Sequence, residues 1–175
     1  SFYNASGKGT ETTTPAPSTK KCLPLDLIEK MVKRPAETKT MIAFHQLSLF
    51  GFFFAMRSCE NFKVSGERRT QAIRKRNIAF IKNHKILPHE SPDLELADAV
   101  TVTFEYQKRD ERNDSVTQSS DGDPVLCPVR STAAIVRRLQ AMGVNDDAFV
   151  FTYESDTRHG KDVDLTGPVA LQLLR

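Results

Sequence analysis

Thr40–Glu60 reads TMIAFHQLSLFGFFFAMRSCE, and the rest of the chain is read outward from it. Met41, Ile42, Phe44, Leu47, Leu49, Phe50, Phe52, Phe53, Phe54 and Met56 fall on nearly every side of a helical wheel. A helix that is apolar around its whole circumference is enclosed by protein. This one is too short, and too often broken by His45, Gln46 and Ser48, to span a bilayer. The pattern predicts a core helix over about Glu37–Met56 that carries Arg57 at its own end. A guanidinium beside a core is costly unless an anion meets it. Glu60, one turn on, is one such anion. A phosphate is the other, because the planar guanidinium fork grips phosphate at two points. Periodicity alone favours Glu60.

The charge around this stretch is uneven. Eight cations lie between Phe62 and Lys85 (Lys63, Arg68, Arg69, Arg74, Lys75, Arg76, Lys82, Lys85) against one anion, Glu67. That segment carries +7 and the remainder −4, which together make the net +3. Concentrated positive charge suggests a surface that faces nucleic acid; a solvated loop or a localisation signal has the same composition. Cys22, Cys59 and Cys127 are odd in number and widely spaced, which suits a reducing compartment better than a disulfide scaffold. His84 and His89 lack partners at zinc-ligand spacing. His45 reads as a packed histidine, and Gly66, Gly122 and Gly160 stand too far apart to form a phosphate-binding loop.

Ser1–Lys21, rich in Ser, Thr and Pro, reads as a disordered tail or linker, and Cys22–Arg175 as the folded part. No apolar leader segment is visible within Ser1–Lys21. The chain begins without Met and stops on Leu173-Leu174-Arg175, so it reads as a fragment. Cys22–Arg34 is a short amphipathic helix ended by Pro35. Ile78–Ile81 is a short strand, and the segment His84–Leu96, with Pro88 and Pro92, is a loop. Ala99–Gln107 alternates apolar Val100, Val102, Phe104 and Tyr106 with polar partners, so it is a strand. Ser115–Gln118 returns antiparallel to it after a turn that carries Lys108, Arg109 and Arg112. Val129–Met142 is a helix with Arg137 and Arg138 on its wet side. Val169–Arg175 is a last helix, with Thr166 as its cap and Pro168 in its first turn. The expected class is α+β, mainly helical, with a small three-stranded antiparallel sheet.

The order of these parts resembles the catalytic domain of the tyrosine recombinases, the phage-integrase group, in the form carried by retroelements of the DIRS or Crypton kind. Phe54-Ala55-Met56-Arg57-Ser58-Cys59-Glu60 is similar to that family's Arg-x-x-Glu box, with Ala55 where the family usually has Gly. Ile78–Ile81, Ala99–Gln107 and Ser115–Gln118 match its three strands, and Lys108 its hairpin lysine. The family's His-x-x-Arg box does not occur in the 175 residues, and Tyr3, Tyr106 and Tyr153 do not stand where its nucleophile does. The resemblance implies Arg57 and Lys108 as catalytic groups, with Glu60 as the acid that holds Arg57. It implies phosphate contacts from Lys63, Arg68, Arg69, Arg74, Lys75, Arg76, Arg109 and Arg112. The implied reaction is DNA cleavage and rejoining through a phosphotyrosine, without metal or cofactor. The implied partner is double-stranded DNA, with a homo-oligomer on DNA for the full-length protein, in the nucleus of a eukaryotic host and with no membrane involved. This chain by itself would bind DNA without cutting it. The alternative is a non-catalytic nucleic-acid-binding or interaction domain, a domesticated remnant of a mobile element.

Overall fold

Leu25–Val32 (α1) and Lys39–Phe53 (α2) open the fold in a computed structural model that describes residues 25–65, 70–106, 112–157 and 160–174. The tail expected over residues 1–21 lies outside the described residues. Ala43, Phe44, His45, Leu47, Leu49 and Phe50 are buried on different sides of α2, as the all-round apolar pattern requires. The helix stops at Phe53, three residues short of the expected end. Ala55 then turns the chain through a left-handed conformation, with φ +49°. Arg57 is therefore not the end of α2 but the N-cap of a separate one-turn helix, Ser58–Asn61 (α3).

The sheet has four strands rather than three. Ile78–Lys82 (β1), Lys85–Leu87 (β2), Ala99–Phe104 (β3) and Asp114–Ser119 (β4) pair antiparallel in the order β2-β1-β3-β4. The extra strand is β2, in the segment expected to be a loop. Lys82 pairs with Lys85 across a two-residue turn, and Asn83 and His84 both take positive φ, +50° and +62°. A turn of that kind needs left-handed backbone at both positions. Asn-His carries a weaker signal for it than Asn-Gly, and Pro88 just beyond hides the strand. Ile78, Phe80, Val100, Val102 and Phe104 bury one face of the sheet. The other face carries a hydroxyl ladder: Thr101 to Thr117 at 2.8 Å and Thr103 to Ser115 at 2.9 Å.

Pro128–Ala141 (α4) packs between α2 and the sheet, burying Val129, Ala133, Ile135, Val136 and Leu139. Thr152–Glu154 (β5) and Asp162–Asp164 (β6) form a second, two-stranded sheet, and Gly167–Leu173 (α5) follows. Thr166 precedes α5 as expected, but its side chain makes no capping hydrogen bond.

Arg137 and Arg138 are not simply the wet side of α4. Arg137 Nη2 donates to the Ser91 carbonyl at 2.6 Å. Arg138 donates to Gln46 Oε1 at 2.8 Å, to the Val150 carbonyl at 2.8 Å and to the Thr152 carbonyl, tying α4 to α2 and to β5. Burial lowers its pKa to about 10, so it stays charged at neutral pH.

The N-terminus of α2 has no acidic residue in its first turn. Asp156, from beyond β5, supplies one. Its carboxylate accepts from Lys39 N at 2.7 Å, Thr40 N at 3.0 Å and Thr40 Oγ1 at 2.5 Å. Thr38 Oγ1 accepts from Met41 N at 3.1 Å, so the first three amides of the helix are all met. The Thr40 hydroxyl first, then the two amides and Lys39, hold the Asp156 pKa below its ordinary 3.8. A depressed carboxylate stabilises the fold above its unfolded pKa and loses that contribution as pH falls through the folded one. Asp156→Ala is therefore expected to cost about 1 kcal/mol at neutral pH. In urea titrations the gap between the two proteins should close as pH drops below about 3.8. A gap that persists unchanged at pH 2 would mean the carboxylate's charge contributes nothing.

Candidate nucleic-acid interface

Arg57 is held by the peptide that follows it. Its backbone N–H donates to Glu60 Oε2 at 2.8 Å, and its Nη1 donates to Glu60 Oε1 at 3.1 Å. The glutamate side chain is 3% exposed and the arginine side chain 49%, so the carboxylate is the buried partner and the guanidinium stands half in solvent. One edge of the fork meets Glu60 while much of the side chain faces outward. Both anions weighed for Arg57 are thus compatible with one geometry: Glu60 orients the group, and a phosphate can approach its open side.

Two features missed in the sequence fasten this helix. Asn61, 3% exposed, donates its side-chain amide to the Leu47 carbonyl of α2. Gly51 lies beneath it, and a Cβ there would come within 2.8 Å of Asn61 Nδ2. Glycine inside a helix is usually a weakness; here it lets α3 close onto α2. A glycine in an apolar run four residues before Ala55 was the available signal, but its partner lies ten residues away on another element.

The segment 70–73 then joins α3 to the sheet. Cys59 Sγ and Thr70 Oγ1 are 2.9 Å apart, Ile73 N donates to the Glu60 carbonyl at 3.1 Å, and Gln71 N donates to the Tyr106 carbonyl at 3.1 Å. Residues 70–73 therefore run as a strip with the Arg57 helix on one side and the end of β3 on the other. Tyr106 stands two residues before Lys108 in the chain. Lys108 and Arg109, like Arg68 and Arg69, lie outside the described residues.

The remaining expected phosphate contacts divide into two sets. Lys63 Nζ meets Asp164 at 2.8 Å, Lys75 Nζ meets Asp146 at 2.9 Å, and Arg76 meets Glu105 at 3.0 Å and also Asp147. Lys75 is 5% exposed. The Lys75 hydrogen bond draws the Asp146 pKa down, and the Arg76 hydrogen bond, followed by that of Asn77, does the same to Glu105. Much of the charge of these three cations is answered within the chain. Arg74 and Arg112 instead lie on aromatic rings: Arg74 at 4.2 Å over Phe149 and Arg112 at 5.9 Å over Tyr106. Arg74 follows the strip and Arg112 reaches it through the Tyr106 ring, whereas Arg57 is joined to it through the helix that it caps.

His45, His89 and Tyr153 have structural places. Burial first, then Arg34, lowers the His45 pKa, which keeps it neutral in the core. His89 Nε2 bonds the Ile78 carbonyl at 2.8 Å, and the hydroxyl of Tyr153, 8% exposed, lies 3.2 Å from Thr40 Oγ1, to which it can donate. Among the described residues no cluster of His, Cys, Asp and Glu could hold a metal ion, and no helix is long and apolar enough to cross a membrane. Comparisons with protein families, with curated proteins and with solved structures return no match for this chain.

Glu60→Ala removes the acceptor for two donors at a buried site and is expected to cost about 2–3 kcal/mol. Arg57→Ala leaves Glu60 its backbone donor and removes a half-exposed group, so about 1 kcal/mol or less is expected. Urea midpoints of the two variants measure the difference; equal losses would make Arg57 the structural member of the pair. Ala55→Gly relieves left-handed strain at a position with φ +49° and should raise stability by about 0.5–1 kcal/mol in the same assay.

Proposed function

We propose that this chain is the DNA-binding portion of a site-specific recombinase that cuts and rejoins duplex DNA through a phosphotyrosine. The observation that carries the reading is the strip 70–73, which joins the helix headed by the half-exposed Arg57 to Tyr106, two residues before Lys108. In-line attack on a phosphodiester builds negative charge on the non-bridging oxygens. A guanidinium already oriented by a buried carboxylate stabilises that charge without reorganising. The leaving 5′-oxygen needs a proton, and Lys108 on the hairpin is the group proposed to give it. The attacking tyrosine and the second arginine box are not in these 175 residues, so this chain binds DNA and does not cleave it.

Binding is expected to be electrostatic. Fluorescence anisotropy with a duplex of about 30 base pairs should show affinity falling at least about tenfold between roughly 50 and 200 mM salt. Arg112→Ala should lower the log–log salt slope by about one, as expected for one lost phosphate contact. Absence of binding at the low-salt end would defeat the reading. The pairing of Lys63, Lys75 and Arg76 with carboxylates favours a second reading, an interaction domain that does not engage DNA, and the same titration separates the two.

A further inference from the structure

The surface beside residues 70–73 is a slot as well as a patch of charge. Thr70, Gln71, Ala72, Arg74, Tyr106 and Phe149 line a pocket of about 370 Å³. A second pocket, of about 510 Å³, is bounded by Glu105, Arg112 and Asn113 and shares Gln71 and Tyr106 with the first. One wall is layered. Phe151 and Phe149 stack at 4.9 Å with an interplanar angle of 15°, and the Arg74 guanidinium lies on Phe149 at 4.2 Å. Arg74 Nη1 is fixed by the Asp147 carbonyl at 2.5 Å, which holds the plane in place. Its Nε is buried without a hydrogen-bond partner, on the side turned away from solvent. The aromatic body of Tyr106 lines the same space, with the Arg112 guanidinium 5.9 Å from its ring.

We propose that this slot takes one unpaired nucleobase of the bound DNA, stacked against the Arg74 guanidinium and the Tyr106 ring. Flat guanidinium and aromatic surfaces recognise a π-face, and in an intact duplex those faces are covered by neighbouring base pairs. The occupant is therefore a base outside the stack, and the exposed Gln71 can meet its edge as donor or acceptor whichever base it is. The charge of Arg74 and Arg112 suits the phosphates on either side of that base. This inference rests on the DNA-binding reading and goes further, because a patch that only neutralised phosphates would have no use for a layered slot.

The test compares two duplexes that differ by a single bulged 2-aminopurine. The wild-type chain should bind the bulged duplex about tenfold more tightly than the perfect one. The fluorescence of the bulged base should fall on binding, as stacking quenches it. Tyr106→Leu and Arg74→Lys should each bring the ratio of the two affinities towards one and restore the fluorescence. Arg74→Lys keeps the charge, so its effect reports the lost plane. Should one variant fail to give the wild-type circular dichroism spectrum, the other carries the comparison. Equal affinity for both duplexes with unchanged fluorescence overturns the slot and leaves DNA binding standing. Absence of binding to either duplex overturns both. Quenching of free 2-aminopurine nucleotide at the same protein concentrations would assign the slot to a mononucleotide and overturn it as a DNA subsite.

Discussion

The constraint on which the structure depends is that α2 has no face fit for water. A helix with one apolar stripe needs one neighbour, whereas α2 has buried residues on every side and needs several. It is met by α1, α4, α5 and β5, elements drawn from both ends of the described chain. Its polar termini then have to be answered by the same surroundings, because a buried amide or carbonyl without a partner is costly. Asp156 and Thr38 meet the N-terminus, and Gln118 of β4 donates to the Phe53 carbonyl at 2.8 Å at the other end. The small sheet and the β5 region are thereby tied to opposite ends of one rod.

The site inherits its rigidity from that rod. Ala55 turns the chain sharply, Asn61 is anchored to α2 over Gly51, and Glu60 is buried with its carboxylate turned back to Arg57. Orienting a guanidinium on a flexible side chain consumes part of what its charge can contribute to holding an anion. Here its backbone N–H and one edge of its fork share a single buried carboxylate. The orientation is thus built in by folding, and the exposed half remains available.

Charge is where composition and structure part. The segment from Lys63 to Lys85 is strongly cationic along the chain, yet its described cations have different surroundings. Lys63, Lys75 and Arg76 face carboxylates that come from 29 to 101 residues away in sequence, from Asp164, Asp146, Asp147 and Glu105. Lys82 is answered by Asp93 at 2.8 Å. Arg74 and Arg112 lie instead on rings. A count of charges does not distinguish these cases, because a salt bridge depends on distance in space and a run of lysines and arginines reports only distance along the chain.

Local chemistry made much of the chain legible. The enclosed helix, the alternating strand with its returning partner, the helix opened by Pro128 and the short helix after Thr166 follow from periodicity, β-branching and prolines in the first helical turn, causes that lie within a few positions. The salt bridge between Arg57 and Glu60 was visible for the same reason. Other features needed the fold: β2, whose turn has Asn-His where glycine would have signalled it; Arg138 as a clamp instead of a wet residue; Asp156 as the cap of a helix more than a hundred residues earlier; and Gly51 as space for Asn61. Sequence by itself determined which segments had to be buried, because burial follows from the apolar pattern of each segment. Only the tertiary structure decided which charges and glycines serve which neighbour, because those partners meet through chain crossings that no local spacing encodes.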